Sequence, residues 1–211
     1  MSGPMHCILQ EECFYHIYNR GNNTEKIFFQ NRNYIHFLKR YDEYLSGYVD
    51  TYAYCLMPNH FHLLVRIKPL REFEVKAKGF PSKTDISKLS AGEIVSELFR
   101  RFFMSYAKSV NIQEGRSGSL FQKFFRRKLV DNDIYFSRMV YYIHHQLRHH
   151  GFDKLDYRTY EWSSYRRILE DRKSRLKKME LLEWFGGKIE FIKFHAQGLD
   201  EQVIEHLTIE D

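Results

Sequence analysis

The sequence predicts an α+β protein of ferredoxin-like type: a βαββαβ core in which a four-stranded antiparallel sheet carries helices on one face, with extra helices at the C-terminus. Three observations carry this. Short runs rich in aromatic and β-branched residues alternate with longer stretches whose apolar residues recur at helical intervals. Turn sequences separate those runs, above all Pro58-Asn59. The length, 211 residues, suits one domain with a small appendage. The 11 Gly and 4 Pro are fewer than average usage and exclude a collagenous or linker-rich chain. No apolar run approaches the roughly 18 residues of a membrane-spanning helix. Met1 to Gln10 lacks a charged segment followed by an apolar core, so no secretory leader is expected. Cys7, Cys13 and Cys55 make an odd count without CxxC spacing, which argues against a disulfide framework or zinc knuckle and for a reducing compartment.

Taken in order, Cys13 to Arg20 mixes aromatic and β-branched residues and stops at Gly21-Asn22-Asn23, a strand entering a turn. Tyr34, Phe37, Leu38, Tyr41, Tyr44 and Leu45 fall at helical spacing behind Asn31 or Asn33 as N-cap. Tyr48 to Met57 and His60 to Ile67 are strand-like runs that Pro58-Asn59 joins into a hairpin. The polar stretch Lys68 to Ser90, with Gly79-Phe80-Pro81, reads as a long loop. Ser90-Ala91-Gly92-Glu93 has the form of a capping box, and Ile94, Leu98, Phe102 and Tyr106 continue a helix from it. After the Gly- and Ser-rich loop Gly115 to Ser119, Phe121 to Val130 supplies the fourth strand. Asp131 or Asn132 then caps a helix running to about His150, which Gly151 ends. Residues 1–170 read as the main domain. Residues 171–211 read as an appendage, with a charged helix near Leu176 to Trp184, then Gly186-Gly187 and Ile189 to Phe194.

Charge is unevenly spread. The formal net charge is +6, yet residues 170–211 hold 7 Lys or Arg against 10 Asp or Glu. Between Leu98 and Lys128 stand Arg100, Arg101, Lys108, Arg116, Lys123, Arg126, Arg127 and Lys128 against one acid, Glu114. Phe102, Phe103, Phe121, Phe124 and Phe125 are interleaved with them. Cations for phosphates and rings for bases make a nucleic-acid surface. A solvated basic face over an ordinary aromatic core fits this stretch equally well.

Chemistry concentrates at two places. In His60-Phe61-His62 the strand alternation puts both imidazoles on one sheet face and Phe61 on the other. Two such imidazoles can hold a metal, or can be half-buried and bonded to neighbours. In Tyr142-Ile143-His144-His145-Gln146, Tyr142 and Gln146 lie four apart on one helical face. If that face covers the sheet near the histidines, the amide oxygen of Gln146 becomes a third ligand, and the phenol of Tyr142 reaches a phosphorus held by the metal. Tyr141 with His145 offers the same geometry one residue round the helix. Gln is the better oxygen ligand for a hard cation, which favours Tyr142. Imidazole and oxygen donors with open positions suit Mg²⁺ or Mn²⁺. His16 alternates with Phe14 and Tyr18 and is expected to be structural, as are Trp162 and Tyr165.

With these residues in place the sequence resembles the single-tyrosine HUH transposases, most closely the REP-associated tyrosine transposases of bacteria. The resemblance spans roughly residues 13–170. It rests on Phe14-Tyr15-His16-Ile17-Tyr18-Asn19-Arg20-Gly21-Asn22 and on Met57-Pro58-Asn59-His60-Phe61-His62 with the strand before it. It continues in Leu120-Phe121-Gln122-Lys123, Tyr142-Ile143-His144-His145-Gln146 and Trp162-Ser163-Ser164-Tyr165. It implies His60, His62 and Gln146 as ligands of Mg²⁺ or Mn²⁺ and Tyr142 as nucleophile. It further implies cleavage and rejoining of single-stranded, hairpin-associated DNA through a 5′-phosphotyrosine. REP-associated members often carry Asn-Pro where this chain has Gln146-Leu147, and Gln is nearer the related insertion-sequence transposases.

Candidate DNA contacts are Arg20, Asn22, Arg100, Arg101, Arg126, Arg127, Lys128 and Arg148, and His144 and His145 are candidate bases for the tyrosine. The resemblance implies a bacterial cytoplasmic protein, at the nucleoid when DNA-bound, acting as a homodimer or a monomer. A silent DNA- or RNA-binding protein on the same fold, or a metal phosphodiesterase using water, are the other readings.

Overall fold

Runs rich in aromatic and β-branched residues, several of them buried on both faces, make up most of the four strands of the computed structural model, which describes residues 7–73, 88–149 and 155–198. They are β1 (Phe14–Arg20), β2 (Val49–Met57), β3 (His60–Ile67) and β4 (Arg126–Val130). The sheet order is β2-β3-β1-β4, antiparallel at each pairing. That is the ferredoxin-like order, with both central strands flanked.

Three longer helices complete the core: α1 (Asn31–Leu45), α2 (Ala91–Gln113) and α3 (Asp133–His144). Tyr34, Phe37, Tyr41 and Leu45 form the buried stripe of α1; Ile94, Leu98, Phe102 and Tyr106 form that of α2. Both stripes pack on one sheet face with Tyr15, Ile17, Phe61, Leu63 and Val65. Ser90 caps α2 with the expected box, its Oγ accepting from Glu93 N and Glu93 Oε2 accepting from Ser90 N. Gly92 has a steric reason: a Cβ there would lie 1.9 Å from the carbonyl oxygen of Leu9.

The opposite face is closed by α3 and by four short C-terminal helices: α4 (Gln146–His149), α5 (Tyr165–Leu169), α6 (Lys178–Trp184) and α7 (Lys188–Ala196). Ala53, Cys55, Met57 and Leu64 of the sheet meet Phe136, Met139, Val140 and Ile143 of α3 and Leu181 and Phe191 beyond it. Arg66 ties this layer down, bonded to Asp50 on β2 and to Glu180 on α6, which also accepts from the Tyr52 hydroxyl. The outer edge of β2 is paired in part. Leu56 N donates to Trp162 O, Ser164 N to Tyr54 O and Lys177 N to Thr51 O, which covers an edge that would otherwise invite strand addition.

Local differences from the sequence reading have local causes. The N-cap of α1 is Gln30, not Asn31 or Asn33, because the Asn33 side chain folds back to accept from Gln30 N and Phe29 N. The fourth strand begins at Arg126, since Phe121 makes only an isolated bridge to Gly21. The helix expected to reach His150 breaks at His145, whose ring nitrogen Nδ1 turns to the Tyr141 carbonyl. Gly79-Phe80-Pro81, His150 and Gly151 lie outside the described residues. Among the described residues no helix is long and apolar enough to cross a membrane.

Candidate functional site

Cross-strand register builds the site. On β1, Tyr18 pairs with His62 of β3 and with Arg126 of β4, Arg20 pairs with His60, and His16 pairs with Lys128. Directly opposed residues share a sheet face. His16, Tyr18, Arg20, His60, His62, Arg126 and Lys128 therefore project from the face that α3 covers further along. Phe61 goes the other way, 5.2 Å from Phe37 and 5.3 Å from Phe103, as the alternation requires.

His60 and His62 stand with ring centroids 5.2 Å apart and planes at 88°. Each has its Nδ1 engaged. His60 Nδ1 lies 2.7 Å from Asn59 Oδ1, and His62 Nδ1 lies 2.8 Å from His16 Nε2. A side-chain oxygen accepts, so His60 carries its proton on Nδ1. Beside them is a pocket of about 10 Å³, lined by Tyr18, Asn19, Arg20, His60, His62, Gln122 and Arg126. It has room for about one water- or ion-sized occupant. Gly21 follows this strand end, where a Cβ would lie 1.9 Å from the Glu25 carbonyl oxygen, so the turn closes only around glycine.

From the opposite layer Tyr142 sets its ring edge-on to His62, at 5.6 Å and 87°, and edge-on to His16, at 6.0 Å and 84°. The structure thus brings Tyr142 against His62 and His16, and turns its neighbour elsewhere. Tyr141 stacks on His145 at 3.7 Å, facing α7. Tyr142 is 1% exposed and Gln146 is fully buried one turn on, its amide N–H donating to the Tyr142 carbonyl at 3.2 Å.

The candidate bases are occupied elsewhere. His195 Nδ1 donates to Phe191 O, so its Nε2 accepts from His144 Nδ1 at 2.8 Å. His144 Nε2 then accepts from the Ser164 hydroxyl at 2.8 Å, and that oxygen accepts from Tyr54 N. His144 is a neutral link from sheet to α7. Burial, with His195 and His145 beside it, holds it far below the ordinary histidine value.

The cationic candidates divide. Arg20, Arg126 and Lys128 share the histidine face. Asn22 is exposed in the turn just beyond β1, its N–H donating to the Leu120 carbonyl. Arg127 points the other way, donating to Ser96 Oγ and lying over the Phe125 ring. Arg100 and Arg101 both pair with Glu97 on α2. With Lys108, Lys123 and Phe124, Arg100 and Arg127 line an open groove of about 1500 Å³. Phe102 is a core residue, Phe103 and Phe121 are buried in the groove wall, and Phe124, 58% exposed, is the ring that faces solvent. Arg148 is exposed beside Tyr141 and Tyr157.

His16, Tyr18, Asn59 and Gln122 are the site residues that sequence reasoning left out. The pairing of β1 with β3 recruits His16 and Tyr18, with His16 and His62 46 residues apart; Asn59 precedes His60 in the chain, and Gln122 is held by its N–H donating to the Arg20 carbonyl.

Among the described residues no group of three or more His, Cys, Asp and Glu side chains gathers for a metal. Any cation here would rest on the two imidazoles and on neutral oxygens. That donor set fits a divalent ion that keeps open positions for phosphate oxygens, and imidazole suits Mn²⁺ better than Mg²⁺.

No family model and no curated protein matches the chain. One solved structure that does match is described as a REP-associated tyrosine transposase bound to a REP hairpin. The match covers 80% of this chain and 86% of that one, at 16% identity and a TM-score of 0.51. The likeness is one of fold: both have the same α+β architecture.

Proposed function

We propose, on the premise of a fold shared with a tyrosine transposase seen on a DNA hairpin, that this chain binds DNA and cleaves and rejoins single-stranded DNA beside a hairpin. The observation that carries the reading is the Tyr142 ring set 5.6 Å from His62, on the sheet face that also holds Arg20, Arg126 and Lys128.

In this mechanism Tyr142 is the nucleophile. Its phenol oxygen forms a bond to the scissile phosphorus while the bond from phosphorus to the 3′ oxygen breaks. The products are a 5′-phosphotyrosine and a 3′-hydroxyl, which takes up the proton that the phenol releases. Attack by a 3′-hydroxyl on the phosphotyrosine reverses these steps, and because the phosphodiester energy is retained, rejoining needs no nucleotide hydrolysis. His60 and His62, with the amide oxygen of Gln146, would hold a divalent cation, Mn²⁺ or Mg²⁺. When bound, it supplies charge stabilisation at the phosphate and eases loss of the phenol proton. An unperturbed phenol has a pKa near 10, so phenolate needs such a positive environment at neutral pH. Arg20, Arg126 and Lys128 align the strand through its phosphates. They act whether the protein works alone or as a homodimer.

One observation favours a second reading: Tyr142 and Gln146 are buried in the free protein. A nucleic-acid-binding protein that does not cut would keep the fold and the basic face and leave the tyrosine as packing. Labelled single-stranded hairpin DNA, incubated with Mn²⁺ or Mg²⁺ and run on a denaturing gel beside Tyr142→Phe, separates them. A protein–DNA band that is lost in the variant supports the proposal. Binding with no cleavage of any hairpin tried supports the silent binder, and cleavage without a protein-linked band points to attack by water.

A further inference from the structure

We infer that His16 is a positioning residue, which holds His62 in the tautomer that turns the Nε2 lone pair toward the site. This inference rests on the reading of His60 and His62 as a metal-binding pair.

One proton is shared across the 2.8 Å contact between His16 Nε2 and His62 Nδ1. If His16 donates it, neutral His62 carries its own proton on Nε2, and a cation must displace that proton before it can bind. If His62 donates from Nδ1, its Nε2 bears a lone pair and is ready to ligate. The second arrangement matches His60 on the same strand, whose tautomer is fixed by the Asn59 oxygen. The pair then presents two Nε2 atoms of one kind. Ligating histidines as a rule donate their second N–H to a fixed acceptor, and loss of that acceptor weakens metal binding by 10- to 100-fold.

His16 is built to be that acceptor. It is 1% exposed, its ring lies nearly parallel to that of His62 at 16°, and Tyr18 stacks on it at 4.6 Å. Tyr142 closes against its edge. Its other nitrogen, Nδ1, is buried with no hydrogen-bond partner among the described residues. A residue chosen only to fill this space would not carry an unsatisfied polar atom, which is costly when buried.

The test uses ¹⁵N-histidine-labelled, metal-free protein and Mn²⁺ as probe. Long-range ¹H–¹⁵N spectra report the His62 tautomer, and Mn²⁺ titration followed by electron paramagnetic resonance reports affinity. The wild type is expected to show His62 protonated on Nδ1. His16→Gln places an amide oxygen near the old Nε2 position and should keep Mn²⁺ affinity within about threefold, whereas His16→Phe fills the space without an acceptor and should lose 10- to 100-fold. A wild-type His62 protonated on Nε2 would overturn the inference without any variant, as would equal Mn²⁺ affinity in His16→Phe. A Gln variant that falls as far as the Phe variant would overturn it too. If wild type and His60→Ala bind Mn²⁺ identically, the metal-pair reading itself fails and takes the inference with it.

Discussion

Tyr142 and His144 sit two residues apart and serve different layers: Tyr142 meets the histidines of the sheet, while His144 links Ser164 to His195. The placement of His60 and His62 on one face was legible in the sequence, because strand alternation is a local rule. The work of His144 was not, since its partners stand 20 and 51 residues away in the chain. The same holds for Arg126 and Arg127. Both belong to one basic run, but adjacent strand residues face opposite ways, so one shares the histidine face and the other bonds Ser96. Arg126→Ala should weaken single-stranded DNA binding and reduce the slope of log affinity against log salt by roughly one phosphate contact's share, about 0.7. Arg127→Ala should leave that slope unchanged. Anisotropy titrations over a range of salt concentrations check both.

At the level of elements, the order βαββαβ was readable because each segment carries its own period and turn signals. Its ends were less so, because side chains such as Asn33 and His145 choose between backbone partners only in the folded context. The contact of α3 with α7 has a measurable consequence. Burial, the first cause, pushes His195 down to about 3 and His144 far below 6.5. Their pKa values in the unfolded chain are near 6.5, so the unfolded state binds more protons as pH falls below that value. Stability from the pair is therefore complete above pH 6.5 and declines below it, at up to about 1.4 kcal/mol per pH unit for each histidine. Thermal melts from pH 7.5 to 5 should show the fall, and His195→Gln should show a shallower one. An equal slope in the variant would remove His195 from the account. At the start of α2, Gly92→Ala should lower the melting temperature despite the better helix propensity of alanine, because the methyl group meets the Leu9 carbonyl. A melt of that variant at or above wild type would show that residues 7–9 can shift away.

Over the whole molecule, the sheet separates two cores, one under α1 and α2 and one under α3 and the C-terminal helices. The candidate site lies at the end of the sheet where Arg20 faces His60, with Tyr142 set against His62 from the second layer. The composition and the charge asymmetry fitted a nucleic-acid surface and a solvated basic face over an aromatic core equally well. They did not show that the aromatic residues of that basic stretch are mostly core, with Phe102, Phe103 and Phe121 buried. The proposed function has Tyr142 form the covalent bond to DNA. Its most direct measurement is mass spectrometry of the protein after reaction with a cognate single-stranded hairpin and Mn²⁺, followed by peptide mapping. The expected result is a nucleotide adduct on the peptide that holds Tyr142, through a 5′-phosphate, and none in Tyr142→Phe. An adduct on another residue, or cleaved DNA with no adduct at all, would contradict it.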